Sequence, residues 1–268
     1  MHYRGGLQLT SDAAMITRTQ NYVEYCRQTA RELRDPHDLA LRGRGKHKIT
    51  RLVHETIVRE VGLGPGDDLV DIGCGDGTLL RMAHALGAKS AIGLHATEEE
   101  ACIVRRLGLE ARQGLSHELP LKDGSASVIV CNNVLLIVPQ EQILPSLREI
   151  YRIARPGARV FLGEIPFVPG PPPEPEFESS RETLAYLYRK HGMRTCLGMA
   201  RRMAYSKLSR KPMVIIDGRV ISFYADPEQF IAMAGSVGLQ VVRYSQHQYW
   251  GNRYNYLFTK EETSDLAN

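Results

Sequence analysis

Short runs of aliphatic and β-branched residues recur at about 68 to 72, 91 to 94, 109 to 113, 127 to 131 and 158 to 163, separated by longer stretches whose apolar positions fall at helical spacing. That alternation predicts βαβ units around a parallel sheet. The runs Val128-Ile129-Val130 and Val160-Phe161-Leu162 contain no polar residue, as strands covered on both faces require. Two further strands are predicted at 239 to 245 and 254 to 259. The turn at 246 to 253 makes them an end hairpin, so the last strand runs against the others.

The helices carry their own punctuation. Thr97 followed by Glu100 is a capping-box pattern, and Gly108 closes that helix. Pro139 opens another, which runs through Leu144, Leu147 and Ile150 to Arg155 before Pro156-Gly157 turns the chain into the fifth strand. Asp226, Pro227 and Gln229 fit an N-cap, an N1 proline and an N3 partner, with Gly238 as the stop. Ahead of the alternating block, a helix at about 17 to 34 ends at Asp35-Pro36, the loop LRGRGKHK follows, and residues 46 to 62 form the helix entering the first strand. After the fifth strand, PGPPPEPE is stiff and unable to pair in a central strand.

These boundaries divide the chain into an N-terminal helix and lid loop (1–45), a core made of 46–165 and 223–260, an inserted cap at 166–222, and a tail at 261–268. The expected fold class is α/β: a seven-stranded, mostly parallel sheet with helices on both faces, an N-terminal helical extension and an insertion after the fifth strand.

Composition narrows the functional classes. With 268 residues, 43% hydrophobic and 24% charged, the chain has enough apolar material for a substantial core. No run of 18 apolar residues exists, and MHYRGGLQLTSD lacks a secretory apolar core, which predicts a cytoplasmic protein. Five cysteines at 26, 74, 102, 131 and 196 form no CxxC pair. A net charge of +4 gives no argument for nucleic acid. Charge is unevenly placed, however: Arg189, Lys190, Arg194, Arg201, Arg202, Lys207, Arg210 and Lys211 lie between Thr183 and Pro212 with no acidic residue among them.

The sharpest signal is Val70-Asp71-Ile72-Gly73-Cys74-Gly75-Asp76-Gly77-Thr78-Leu79-Leu80, a strand running through glycines into a helix. Glycines there allow a tight turn and let a ligand approach backbone N–H groups at a helix N-terminus. Thr78 stands where a dinucleotide fingerprint needs glycine, which disfavours a pyrophosphate cradle and an oxidoreductase. This motif resembles the first motif of the class I S-adenosylmethionine-dependent methyltransferases. LPLKDGSASVIVCNNVLLIV is similar to the family's loop and fourth strand, and LREIYRIARPGARVFLGE to its next helix and fifth strand. The resemblance covers roughly 46 to 165 and 223 to 260 and is nearest to the small-molecule branch.

The resemblance implies a Rossmann-like fold, S-adenosylmethionine as cofactor, and a site at the carboxyl ends of the strands. It assigns Gly73, Gly75 and Gly77 to the cofactor loop, Asp71 to ordering that loop for the methionine portion, and Asn132 to the neighbouring end of the fourth strand. Three positions depart from the family's pattern. His95 replaces the acid that grips both ribose hydroxyls, and Leu115 replaces the aspartate that accepts from the adenine amino group. Ser127 replaces an aspartate that opens the fourth strand. His95 offers at most one hydrogen bond to a hydroxyl, so an aspartate at 95 is expected to tighten cofactor binding. Leu115 remains suited to packing on the purine face, with the Ser116 hydroxyl or backbone at its edge.

Methyl transfer from a sulfonium is an in-line displacement that mainly demands alignment of acceptor and methyl group. A base helps when the acceptor is a hydroxyl. The candidates are His247, in the turn on the rim, and Glu164, directly after the fifth strand. The basic insertion favours an anionic acceptor or contact with an anionic membrane surface. The function expected is therefore methylation, most simply at oxygen, of a small anionic or amphiphilic acceptor. Two alternatives stay open: a non-catalytic ligand-binding or scaffolding member of the fold, for which the three lost acids argue, and an RNA-modifying methyltransferase. Against the latter, Asn132-Asn133-Val134-Leu135 is not an NPPY-like run.

Overall fold

A computed structural model describes residues 23–24, 26–27, 30–31, 33, 35–41, 47–167, 185, 188, 193–194, 197–198, 200–201, 204, 223, 225–247 and 253–261. Its core is a seven-stranded sheet in the order β3-β2-β1-β4-β5-β7-β6, with β1 at Asp68–Ile72, β2 at Ser90–His95, β3 at Ala111–Gln113, β4 at Ala126–Asn132, β5 at Ala154–Pro166, β6 at Leu239–Gln246 and β7 at Arg253–Lys260. The first five strands pair in parallel, and β7 runs antiparallel to both β5 and β6. The end hairpin expected from the pattern is therefore present. Strand order reverses between β1 and β4, which makes their carboxyl ends the topological switch point.

Side-chain alternation along the strands sets the two layers. Leu69, Val128, Val130 and Phe161 meet α1 (His47–Val61), α2 (Thr78–Ala85) and α3 (Glu98–Arg106) on one face. Ile129, Val160, Leu162 and Phe258 meet α4 (Gln140–Ile153) and α5 (Pro227–Gly235) on the other. Both faces of the central strands are thus dry, which is why those runs lack polar residues.

The helix signals hold. Thr97 accepts from the Glu100 amide at 3.3 Å, and Asp226 caps α5 through the amides of Glu228 and Gln229. Gly238 has φ +99°, and a Cβ there would meet the Tyr151 ring at 2.7 Å. Pro156-Gly157 behaves differently from the expected turn. Strand β5 already begins at Ala154, opposite Ala126, and the register then jumps to Val128 opposite Arg159. The Pro-Gly pair sits in this bulge, where a missing N–H costs no ladder bond.

Two ion pairs close the amino-terminal end of the sheet, Arg155 with Asp68 and Arg159 with Asp67. Ser127 belongs to this end: its hydroxyl accepts from the Asp68 amide and donates to Asp67, each at 2.9 Å. An acid lost at 127 therefore bears on the sheet's base and not on the ligand-binding rim.

The chain divides into two compact units, Pro169–Ile215 and the remainder. In the smaller unit the described residues are helical, with Tyr188, Met193 and Leu197 exposed. Of the N-terminal helix, the described residues 23–24, 26–27 and 30–31 are helical. The side chains of Arg42, Arg44, Lys46 and Lys48, most of the insertion's basic run and the tail beyond 261 lie outside the described residues. Among the described residues, no helix is long and apolar enough to cross a membrane.

Candidate active site

Gly73, Gly75 and Gly77 have φ of +76°, +56° and +75°, a left-handed sequence that L-residues adopt only with strain. Close packing adds a second constraint, since a Cβ on Gly73 would lie 2.3 Å from Val134 Cγ2 and one on Gly77 2.4 Å from Leu109 Cδ1. The Gly73 and Cys74 amides bond back to the Leu94 carbonyl at 2.8 and 3.3 Å. Among the described residues, the amides of Gly75 and Asp76 find no such partner, which leaves two donors at the mouth of α2.

Asp76 holds the loop's shape. Its Oδ1 accepts from the Thr78 amide at 3.0 Å, and its Oδ2 accepts from Arg81 Nη2 at 2.8 Å and lies 2.7 Å from His37 Nδ1 in the short helix Pro36–Leu41. Burial alone would raise its pKa, but the hydrogen bonds from His37, Thr78 and Arg81 outweigh burial and hold the carboxyl below its ordinary range. Burial, with the charges of Asp71, Glu100 and Asp76, pushes the Cys74 thiol well up and keeps it protonated. The loop thus lies in an acidic neighbourhood suited to a ligand with positive charge.

Beside the loop a cleft of about 480 Å³, counting space open to solvent, is lined by Gly73, His95, Leu115, Ser116, His117 and Gln142 among others. Gly114 lets the chain turn tightly into this wall, because a Cβ there would fall 2.5 Å from Pro120 Cδ. Ser116 Oγ lies 2.9 Å from Ser146 Oγ, and Ser146 donates its proton to the Gln142 carbonyl at 2.8 Å. Ser146 has one proton, so Ser116 must donate to Ser146 and keeps only acceptor capacity for a ligand. Burial lowers the His117 pKa against the opposing pull of Glu118 and Glu149, which leaves a neutral imidazole on the cleft wall.

At the far side of the rim, the ends of β4 and β5 are bound together. Asn132 Nδ2 donates to Glu164 Oε1 at 3.1 Å, and Arg253 Nη1 reaches Glu164 Oε2 at 2.6 Å and Asn133 Oδ1 at 3.0 Å. Glu164 is fully buried. Because a carboxylate only accepts, the Asn132 amide must face it with its NH₂, which fixes the carboxamide's orientation.

Residues 70–162 match the protein family described as "Methyltransferase domain". Over that stretch the chain is similar to the methyltransferase domain family, and its fold is that of the class I S-adenosylmethionine-dependent methyltransferases. Among curated proteins it is 35% identical over 107 residues to an uncharacterized 37.1 kDa protein in transposon TN4556 of Streptomyces fradiae, covering 37% of this chain and 30% of that protein. It is 29% identical over 125 residues to ribosomal protein L11 methyltransferase of Burkholderia cenocepacia, covering 46% and 39%. The chain thus spans about a third of the length of these relatives. Among solved structures, a SAM-dependent methyltransferase from Thermotoga maritima aligns with TM-score 0.52 and 18% identity over 91% of this chain and 100% of that one. Magnesium protoporphyrin IX methyltransferase from Synechocystis, with bound SAH, aligns with TM-score 0.51 and 14% identity over 79% and 83%. Identities this low show the fold alone.

S-adenosylmethionine is the cofactor of this methyltransferase domain, and the residues present fit it for the most part. Two amides at the mouth of α2, Ser116 as an acceptor and apolar walls from Ile72, Leu94, Leu115 and Val134 suit a sulfonium nucleoside. The ribose position fits less well. His95 Nε2 lies 2.9 Å from the Gly75 carbonyl oxygen, and its Nδ1 lies 3.7 Å from the buried Glu100 carboxylate. An aspartate at 95 would leave the carbonyl without a donor and set a second carboxylate near Glu100, which reverses the expectation that it would tighten binding.

The structure therefore brings Gly73, His95, Leu115 and Ser116 together in one cleft, with Asp71, Gly75 and Gly77 in the adjoining strand and loop. Asn132 and Glu164 are joined to each other on the rim. His247 stands apart: it lines a groove of about 690 Å³ between α1 and the β6–β7 hairpin, with Val53, Phe161 and Arg243, and shares no lining residue with the cleft. Its amide donates to the Arg253 carbonyl at 2.7 Å. Sequence reasoning missed His37, Arg81, Ser146 and the role of Arg253. His37, Ser146 and Arg253 meet Asp76, Ser116 and Glu164 from 39, 30 and 89 residues away, whereas Arg81 meets Asp76 from five residues away.

Proposed function

We propose that this methyltransferase domain transfers the methyl group of S-adenosylmethionine to a small anionic or amphiphilic acceptor, at oxygen. The observation that carries the reading is the chemistry of the smaller unit. There Tyr188, Met193 and Leu197 are exposed apolar side chains, and the basic run from Arg189 to Lys211 has no acidic residue within it. Solvent-facing apolar side chains among cations suit a ligand with both an apolar body and a negative charge.

The cofactor supplies an electrophilic methyl on a cationic sulfur. The protein's part is alignment. The glycine turn holds backbone donors in place, and the acidic neighbourhood of Asp71 and Glu100 favours a cation. At the rim, Glu164 has a hydrogen bond on each oxygen, which suits it to holding Asn132 and Arg253 and not to removing a proton. His247 lines the separate groove and shares no lining residue with the cleft, so this proposal gives it no part in the transfer and rests on alignment. A second reading, a non-catalytic member of the fold, is favoured by one observation: His95 is committed to the Gly75 carbonyl and offers the ribose no carboxylate.

Incubation with methyl-labelled S-adenosylmethionine and a metabolite extract, fractionated by anion exchange, tests the reading. Label in an alkali-stable, retained small molecule is the expected result. Label only in protein would point to an acceptor like that named for the ribosomal protein L11 methyltransferase relatives. Binding without any transfer would favour the non-catalytic reading.

A further inference from the structure

We infer that His95 is a positioning residue which locks the cofactor loop through its Nε2 proton, in exchange for the ribose-binding acid of related enzymes; the inference rests on the reading that this cleft takes S-adenosylmethionine. The Gly75 carbonyl can only accept, so the contact at 2.9 Å requires the proton on Nε2. Nδ1 then faces Glu100, a carboxylate buried in the first turn of α3 and itself held by the Thr97 hydroxyl at 3.0 Å. His95 is itself buried, at 6% exposure, so the imidazole is held by packing as well as by the Nε2 bond.

The lock acts where the loop is most demanding. Gly75 has φ +56° between two other left-handed glycines, and its carbonyl reaches across to His95 at the end of β2. Two amides of the preceding residues already bond to Leu94 in the same strand. His95 extends that zipper by one rung. It holds the turn in the shape that turns the Gly75 and Asp76 amides outward, and so stores in the free protein an order that the cofactor would otherwise have to impose.

Side-chain geometry gives a discriminating test. Glutamine can place its amide nitrogen where Nε2 stands, whereas asparagine reaches only the place of Nδ1 and aspartate has no proton to give. Calorimetric titration with S-adenosylhomocysteine should therefore find His95→Gln close to the wild-type protein. His95→Asn and His95→Asp should be weaker by about ten-fold, the worth of one lost hydrogen bond. Nitrogen-15 spectra of the cofactor-free protein should show Nε2 of His95 protonated and slow to exchange. That readout separates the two ideas: a persistent Nε2 proton in a protein that ignores the nucleoside would overturn the cofactor reading and leave the lock standing. Affinity in His95→Asp equal to or above wild type, or loss in His95→Gln equal to that in His95→Asp, would overturn the lock. Thermal unfolding of each variant guards against a misfolded chain.

Discussion

Arg253 sits 2.6 Å from the fully buried Glu164 carboxylate and uses the same nitrogen to hold Asn133 at 3.0 Å. Asn133 and Glu164 are the two non-glycine residues with left-handed φ among the described residues, both at +60°; Asn133 directly follows β4, and Glu164 lies within β5 where its register with β7 shifts between Leu162 and Ile165. One guanidinium therefore fastens two strained positions at the rim. Arg253→Met should cost about 3 kcal/mol, because it leaves a buried charge uncompensated. Adding Glu164→Gln should recover part of that loss. Chemical denaturation of the two single variants and the double variant measures the coupling, and a loss below about 1 kcal/mol would reduce the pair to a surface contact.

The acid side of the stability curve should report Asp76. Its folded pKa is held down, so it contributes stability that is complete above the unfolded carboxyl value of about 3.9 and is lost as pH falls through the folded value. Asp76→Asn should be less stable than the wild type by about 1 to 2 kcal/mol at neutral pH. The gap should close as pH falls below about 4, through the lowered folded value. Denaturant midpoints across that range would show it, and a gap of constant size would mean that the ionised form carries no special weight.

How much of this was legible in the chain depends on the range of the interaction. The β1 turn, the capping of α3 by Thr97 and of α5 by Asp226, and the reversed last strand all follow from residues a few positions apart. The left-handed glycine turn between β1 and α2 was legible for the same reason. What the sequence hid are relations between elements. Ser127 looks like a lost acid until it is seen bonded to Asp67 at the sheet's base. His95 looks like a weak ribose ligand until its nitrogen is found on Gly75, twenty residues earlier. Pro156-Gly157 reads as a turn because nothing local announces that β4 will supply partners on either side of a bulge.

The serine pair offers a test of base recognition. With Ser146 donating to Gln142, Ser116 presents lone pairs to the cleft, which suits an adenine amino group and not the carbonyl of hypoxanthine. S-adenosylhomocysteine should bind more tightly than S-inosylhomocysteine, and Ser146→Ala should narrow the ratio because the Ser116 hydroxyl is then able to turn and donate. A shift of about five-fold is expected from one hydrogen bond. An unchanged ratio would place the base elsewhere.

Calorimetric titration with S-adenosylhomocysteine of the wild-type protein, Gly75→Val and Gly108→Ala tests the assignment of the cleft most directly. Gly108 has φ +80°, and a methyl group added there would meet nothing within 4 Å, so alanine brings backbone strain of about 1 kcal/mol outside the turn. Gly75 has φ +56° in the turn itself, where valine adds both strain and bulk against the ligand's approach. The account predicts one binding site per chain in the wild type, kept in Gly108→Ala and lost in a folded Gly75→Val. Absence of binding to the wild-type protein, or equal binding by all three, would contradict it.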